Sequence, residues 1–280
     1  MRETQGSAEN WLSRTYRPLG GLLAALCMVC GLGAGCLTTV SSEPEVDPIA
    51  KAASVRNVGL DYVRQGQYAM AIRTLQDAQR QNPSDPLTYY GLGEAFRSKG
   101  LLPEAEANLL LSLANSPSPQ AVDYQTATLT LAAVYIQMER YPEAEALCQI
   151  LIDDPTYARP WIALTNRGWA EYKSGRFLEA QGSYEEALDF RSDYAPAHFN
   201  LGKLDQSQSR WLSAIRQLEL ASESKQMSPR AQAEAHFRMG EIYTTLGRQD
   251  KAVEQFRNAE EKAPQDKWGI ESRTYLDMLL

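Results

Sequence analysis

The sequence predicts an all-α protein made of repeated helix-turn-helix hairpins. A block that begins at Gly59 recurs near Gly93 and again near Gly240, and such self-similarity marks a repeat architecture. Within each block, a small residue is followed twelve positions later by an alanine, as expected where two helix backbones approach closely. Six pairs share this separation: Gly59/Ala71, Gly93/Ala105, Ala132/Ala144, Gly168/Ala180, Gly202/Ala214 and Gly240/Ala252. Successive blocks start 34, 39, 36, 34 and 38 residues apart, so the extra residues fall between hairpins.

Composition excludes several functional classes. The 280 residues are 44% hydrophobic and 22% charged, typical of a folded protein. A net charge of -7 disfavours nucleic-acid binding, which needs a cationic surface. The chain contains two histidines, His198 and His236, at equivalent positions of two repeats. So few histidines disfavour histidine-based catalysis and a histidine-rich metal site.

Residues 1–35 are predicted to be a signal peptide. The segment 19–35 is apolar, follows basic residues and ends in small residues, which is the order of a secretion signal. A transmembrane helix is the alternative, but such a helix needs about 20 apolar residues and this run is slightly short. Cys27 and Cys30 lie inside the run and would be removed with the signal.

The end of this segment carries a lipidation motif. The sequence Gly33-Ala34-Gly35-Cys36 resembles the lipobox of bacterial lipoproteins, although Gly33 stands where that family usually has leucine. The resemblance implies cleavage before Cys36 and a covalent lipid on its sulfur. Leu37 stands where an aspartate would signal inner-membrane retention, so the resemblance implies delivery to the outer membrane. No cofactor is expected other than this lipid.

A flexible linker is predicted over residues 36–51, because the segment is polar and has no helical periodicity. About 15 flexible residues reach on the order of 20 Å. The linker would hold the following domain clear of the membrane. The remaining cysteine, Cys148, is predicted to be a small buried hydrophobic residue.

The repeats resemble the tetratricopeptide repeat (TPR). The resemblance rests on the small residue, the turn glycine, the alanine of the second helix and the closing proline, as in Gly59, Gly66, Ala71 and Pro83. It implies a right-handed solenoid of six repeats over residues 52–266. Residues 267–280 place Trp268, Ile270, Tyr275, Leu276 and Met278 at helical spacing. We expect them to form a capping helix, because a solenoid must cover its last apolar face.

The TPR resemblance also implies a concave groove lined by the first helix of each repeat. Several apolar and aromatic residues fall at its groove positions, and aromatic residues are frequent interface anchors. They are Leu60, Val63, Tyr90, Leu129, Ile136, Trp169, Tyr172, Phe199 and Phe237. The sequence therefore predicts binding of an apolar or amphipathic polypeptide segment.

No catalytic constellation accompanies the repeats. The sequence has no glycine-rich phosphate loop, nucleophile elbow or metal-spaced cluster. The acidic pairs Glu185-Glu186 and Glu260-Glu261 fit solvated faces of second helices. We therefore predict a protein that is not an enzyme and has no small-molecule substrate or metal site.

A lipoprotein with six TPR repeats resembles the outer-membrane pilotins of type IV pili, the Tgl/PilF/PilW family, and the opening repeat around Gly59 is similar to that family's first motif. The resemblance implies a lipid-anchored protein on the periplasmic leaflet of the outer membrane. It would bind secretin subunits and promote their insertion and multimerisation. Two alternatives remain open: a scaffold that recruits cell-wall enzymes, and a component of the β-barrel assembly machinery.

Overall fold

The computed structural model describes residues 47–280, which form thirteen α-helices and no β-strand. The helices are α1 Pro48–Arg64, α2 Tyr68–Gln81, α3 Pro86–Ser98, α4 Leu102–Asn115, α5 Val122–Gln137, α6 Tyr141–Asp153, α7 Pro160–Lys173, α8 Phe177–Phe190, α9 Ala195–Ser207, α10 Trp211–Ser222, α11 Pro229–Thr245, α12 Gln249–Lys262 and α13 Lys267–Leu279. The predicted all-α fold with six hairpins is confirmed: α1 pairs with α2, α3 with α4, and so on to α11 with α12.

The turn inside each hairpin has the same length and the same backbone conformation. Three residues always separate the two helices of a hairpin. The middle residue has a positive φ in every case: Gly66, Gly100, Glu139, Gly175, Ser209 and Gly247. The left-handed conformation ends a helix and satisfies its last carbonyl groups. In the first hairpin, for example, the Gln67 N–H donates to the Tyr62 carbonyl oxygen at 2.9 Å.

The small residue of each first helix packs against the residue that follows it by sixteen positions. A Cβ atom placed on Gly59 would lie 2.6 Å from Leu75 Cγ, and one on Gly240 would lie 2.6 Å from Phe256 Cε1. The third hairpin differs, because its small residue is Ala132 and the residue sixteen positions later is Cys148; both are fully buried. In this hairpin, alanine replaces the glycine of the first helix, and the smaller cysteine replaces the leucine, tyrosine or phenylalanine of the second helix.

The N-terminal boundary of the first repeat was predicted too late. Helix α1 begins at Pro48, four residues before the predicted start at residue 52. The Asp47 carboxylate accepts a hydrogen bond from the Ile49 N–H at 3.0 Å, and proline is favoured in a first turn because it has no N–H to satisfy. Residues 48–51 therefore belong to the folded domain and not to the predicted linker.

Helix α13 covers the apolar end of the last hairpin. The Tyr275 ring stacks on the Phe256 ring with centroids 4.7 Å apart, and the Trp268 ring lies 5.2 Å from the Phe237 ring. Ile270 and Met278 lie on the opposite, exposed side of the helix. This arrangement closes the core of the sixth repeat.

The predicted signal peptide and Cys36 lie outside the described residues. Within residues 47–280, no helix combines the length and the apolar character needed to cross a bilayer.

Candidate protein-binding groove

The first helices of the hairpins form the inner layer of the solenoid. Helix α3 contacts both α1 and α5, and α7 contacts both α5 and α9, whereas second helices of neighbouring repeats do not make comparable contacts among the described residues. Because one layer is more closely spaced than the other, the stack curves toward the first helices. Such curvature creates the extended concave surface by which solenoids bind partners.

A cleft of about 460 Å³ opens on this concave face across the first four repeats. Its lining combines apolar, aromatic and polar side chains from four first helices: Val63, Arg64, Tyr90, Glu94, Arg97, Leu129, Thr130, Ala133 and Asn166. The Arg97 Nε–H donates to Glu94 Oε2 at 3.1 Å, which fixes both side chains along the cleft. The cleft therefore offers both apolar surface and polar groups to a partner.

Tyr90 is the one aromatic residue among the side chains that line this cleft. Burial, followed by the nearby Glu94 carboxylate, raises the pKa of its phenol above the ordinary value. The hydroxyl is therefore protonated at neutral pH and can donate a hydrogen bond. Tyr90 thus offers a partner both an apolar ring and a polar end.

A second aromatic group continues the concave face in repeats four and five. The Trp169 and Tyr172 rings stack with centroids 5.2 Å apart and an interplanar angle of 16°. The Lys203 ammonium lies 4.2 Å from the Trp169 ring centroid and 5.1 Å from that of Phe199. Burial lowers the pKa of Lys203 to about 8, and Glu234 lies 3.7 Å from its Nζ.

The structure places six of the nine predicted groove residues on the half-buried inner surface: Leu60, Val63, Tyr90, Leu129, Trp169 and Tyr172. It brings Val63, Tyr90 and Leu129 together in one cleft, and Trp169 with Tyr172 in the aromatic pair. Leu60 lies between the first two repeats, and a Cβ on Gly91 would come within 2.6 Å of its Cδ2 atom.

The other three predicted groove residues are core residues. Ile136 and Phe199 are 9% exposed and Phe237 is 4% exposed, so these three predictions were wrong. Phe237 is enclosed by Phe256 and by two rings of the capping helix. Ile136 packs in the core of the third repeat, and Phe199 packs in the core shared by repeats five and six.

Arg64, Thr130 and Asn166 line the cleft but were missed by sequence reasoning. Thr130 stands three residues before Ala133, which also lines the cleft, and Asn166 stands three residues before the predicted groove residue Trp169. Residues three apart share a helix face. Helical periodicity alone could therefore have found them. Arg64 directly follows Val63, which the sequence predicts to line the groove.

The two histidines hold hairpins together and do not point into the groove. His198 Nδ1 lies 2.6 Å from Gln217 Oε1, and His236 Nδ1 lies 2.8 Å from Gln255 Oε1. Each contact joins the first helix of a repeat to its second helix. Burial lowers the pKa of His236, which keeps that ring neutral at pH 7.

The Cys148 side chain lies in the core of the described domain. The Cys148 thiol is fully buried, and burial raises its pKa to about 12, so it carries no reactive thiolate at neutral pH. Across residues 47–280, no group of three or more His, Cys, Asp or Glu side chains is arranged to hold a metal ion.

The fold and the groove define a helical-repeat scaffold for binding other proteins. The family model for the tetratricopeptide repeat matches residues 59–118, 129–196 and 194–267, which together make up more than half of the chain. The chain therefore belongs to the tetratricopeptide repeat family.

Three solved structures share this fold. The type IV pilus biogenesis factor PilW is 18% identical, with a TM-score of 0.66 over 79% of this chain and 97% of that chain. PilF of Pseudomonas aeruginosa is 15% identical, with a TM-score of 0.62 over 82% of this chain and 100% of that chain. A chain of the APC/C hetero-tetramer Cut9–Hcn1 is 15% identical, with a TM-score of 0.66 over 82% of this chain and 43% of that chain. At these identities the likeness shows the fold alone. No curated protein matches the sequence.

Proposed function

We propose that this protein is a pilotin: a non-enzymatic lipoprotein of the outer membrane that binds secretin subunits and promotes their insertion and multimerisation. One observation carries the proposal. The fold likeness spans nearly all of PilW and all of PilF, so the whole repeat array, and not a fragment of it, resembles these two pilus proteins.

The groove supports a role in holding an apolar or amphipathic segment of a partner. Val63, Tyr90 and Leu129 line one cleft, and Trp169 with Tyr172 extends the aromatic surface along the same face. Large aromatic side chains supply much of the binding energy of protein interfaces. A groove that shields an unassembled secretin segment would suppress its premature association.

The proposed lipid on Cys36 would raise the local concentration of the groove at the membrane. One acyl chain binds a bilayer only marginally, whereas two or more hold a protein stably. Replacing Cys36 by alanine should abolish labelling by a fatty-acid analogue and release the protein from membranes. Persistent labelling would contradict lipidation at this residue.

Deletion of the gene tests the proposed function directly. We expect loss of heat-resistant secretin multimers and of surface pili, with both restored by the wild-type gene. Normal multimers would exclude the pilotin role. Depletion of many β-barrel proteins would instead indicate the barrel assembly machinery, and mislocalised cell-wall enzymes would indicate the scaffold.

Two substitutions test the groove. The double change Trp169→Glu/Tyr172→Glu places two charges on the aromatic pair and should weaken secretin binding at least tenfold, because desolvating a carboxylate against an apolar partner is unfavourable. The matched control is Ile150→Glu/Leu220→Glu, at two exposed sites on second helices. Circular dichroism should show the same helicity in both variants. Equal secretin binding by both would exclude this part of the groove.

A further inference from the structure

An arginine ladder joins the second helices of neighbouring repeats. In repeats three to six, an arginine directly precedes the second helix: Arg140, Arg176, Arg210 and Arg248. In three of these repeats it reaches the preceding second helix, always at the residue thirteen positions after that repeat's small residue. The pairs are Arg140 with Glu106 at 2.8 Å, Arg176 with Glu145, and Arg210 with Gln181 at 3.1 Å.

Arg248 has the same position but lacks the acceptor. The equivalent residue of the preceding second helix is Ile215, an apolar side chain that is buried in the core. Among residues 47–280, no side chain accepts a hydrogen bond from the Arg248 guanidinium or lies within ion-pair distance of it. Arg248 therefore lacks the contact with the preceding second helix that the other three arginines make.

Arg248 lines a cleft of about 680 Å³, which we call the turn-edge cleft. Trp211, Leu212, Leu246, Arg210 and Arg248 line it together with two serines, and no acidic residue contributes to the lining. Asp205 lies beneath, nearly fully buried, and accepts hydrogen bonds from Arg210 Nε at 2.7 Å and Ser213 Oγ at 2.5 Å. Arg210 is thus neutralised within the chain, and Arg248 supplies the net positive charge of the cleft.

An exposed leucine lines the cleft beside Arg248. Leu212 is 78% exposed, and Leu178, at the equivalent position of the preceding repeat, is 82% exposed. The other four repeats place small, ring-constrained or acidic residues there: Ala69, Pro103, Pro142 and Asp250. The leucines follow the hairpin turns of repeats four and five, and they contribute nothing to the core of the domain.

We propose that the turn-edge cleft binds a partner polypeptide segment that presents a carboxylate beside a large apolar side chain. The carboxylate would pair with the Arg248 guanidinium, for which Ile215 provides no acceptor, and the apolar side chain would pack between Leu212 and Leu246. Charge complementarity identifies the ligand, since a free guanidinium forms strong hydrogen bonds with carboxylates. A recess suits a projecting side chain better than a flat bilayer, and the net charge of -7 disfavours an anionic membrane. This surface lies at the hairpin turns of repeats five and six, so it is independent of the proposed role of the concave groove.

Fluorescence anisotropy with synthetic peptides tests the proposal on the purified protein. The probes are fluorescein-labelled heptapeptides with a central Glu or Asp flanked by Leu, Phe or Trp, and the matched Gln or Asn peptides. We expect saturable binding of acidic–apolar peptides and at least tenfold weaker binding of the amide peptides. Arg248→Gln and Leu212→Ser should each weaken binding of the acidic peptides about tenfold.

Two matched variants in repeat five control for indirect effects. Arg216→Gln and Leu220→Ser change an exposed arginine and an exposed leucine outside the cleft, and both should bind like the wild type. The proposal is overturned if no peptide of the panel binds, or if Arg248→Gln binds acidic and amide peptides as the wild type does. Leu212-dependent binding to phosphatidylglycerol vesicles in place of peptides would also overturn it.

Discussion

At the residue scale, two hairpin turns carry avoidable backbone strain. Glu139 and Ser209 have φ values of 61° and 57°, a conformation that the other four turns assign to glycine. A left-handed conformation costs a residue with a Cβ atom roughly 1–2 kcal/mol, and glycine avoids this cost. The greater conformational entropy of glycine in the unfolded state offsets part of that advantage.

Glu139→Gly should therefore stabilise the protein by about 0.5–1 kcal/mol, measured as the free energy of unfolding in urea. Gly100→Ala should act in the opposite direction. Because a Cβ on Gly100 would meet no atom within 4 Å, the loss of stability in Gly100→Ala would come from the backbone conformation alone. No change in either variant would contradict this account of the turns.

The size match between Ala132 and Cys148 is a second feature at this scale. Cys148→Leu alone should destabilise by about 1–3 kcal/mol through overpacking against the Ala132 methyl group. Adding Ala132→Gly should recover part of that loss, because the pair then equals Gly93 with Leu109 in the preceding repeat. The double-mutant cycle measures the coupling; strictly additive effects would show that the two residues do not compensate.

The sequence predicted these contacts only in part. The twelve-residue spacing identified both helices of each hairpin, because the geometry within a hairpin is local and constant. The contact at sixteen residues was not recognised, since its larger partner varies among Leu, Cys, Tyr and Phe. Phe237 was misassigned because its burial depends on the rings of α13, a separate element.

At the element scale, the capping helix stabilises the sixth repeat through aromatic contacts. Tyr275→Ala removes a ring that contacts both Phe256 and Phe237, and it should cost about 2–4 kcal/mol. Met278→Ala, on the exposed side of the same helix, should stay within about 0.5 kcal/mol of the wild type. Thermal unfolding followed by circular dichroism compares the two, and equal melting temperatures would refute a capping role for the Tyr275 face.

The element boundaries show where sequence reasoning reached its limit. The first turn of α1 uses Asp47 and Pro48, and both residue types are also common in linkers. Composition therefore favoured a linker up to residue 51, whereas the capping geometry extends the helix to Pro48. The unpaired Arg248 likewise became visible only when the register of neighbouring second helices was known.

At the scale of the whole molecule, Lys203 connects three repeats along the concave face. Its ammonium lies over Trp169 of repeat four and Phe199 of repeat five, and near Glu234 of repeat six. Burial lowers its pKa from 10.5 to about 8. Below pH 8 both the folded and the unfolded protein are protonated at Lys203, so the cost of burying the charge is fully present.

Between pH 8 and 10.5 the unfolded state binds this proton more strongly, so this residue makes the folded state more stable as pH rises. Relative to Lys203→Met, the wild type should gain about 2 kcal/mol of unfolding free energy from pH 7 to pH 9.5. Urea titrations of both proteins at the two pH values give the difference. A constant difference would exclude a lowered pKa for Lys203.

The solenoid contains two kinds of joint with different mechanical properties. Every turn within a hairpin has three residues and one backbone conformation, whereas the connections between hairpins vary from four to six residues. Under tension along its axis, the stack would lengthen first by pivoting at the connections, while each hairpin moved as a rigid plate. The protein would therefore behave as a soft spring that recoils without refolding, and a ligand spanning several repeats would set its length.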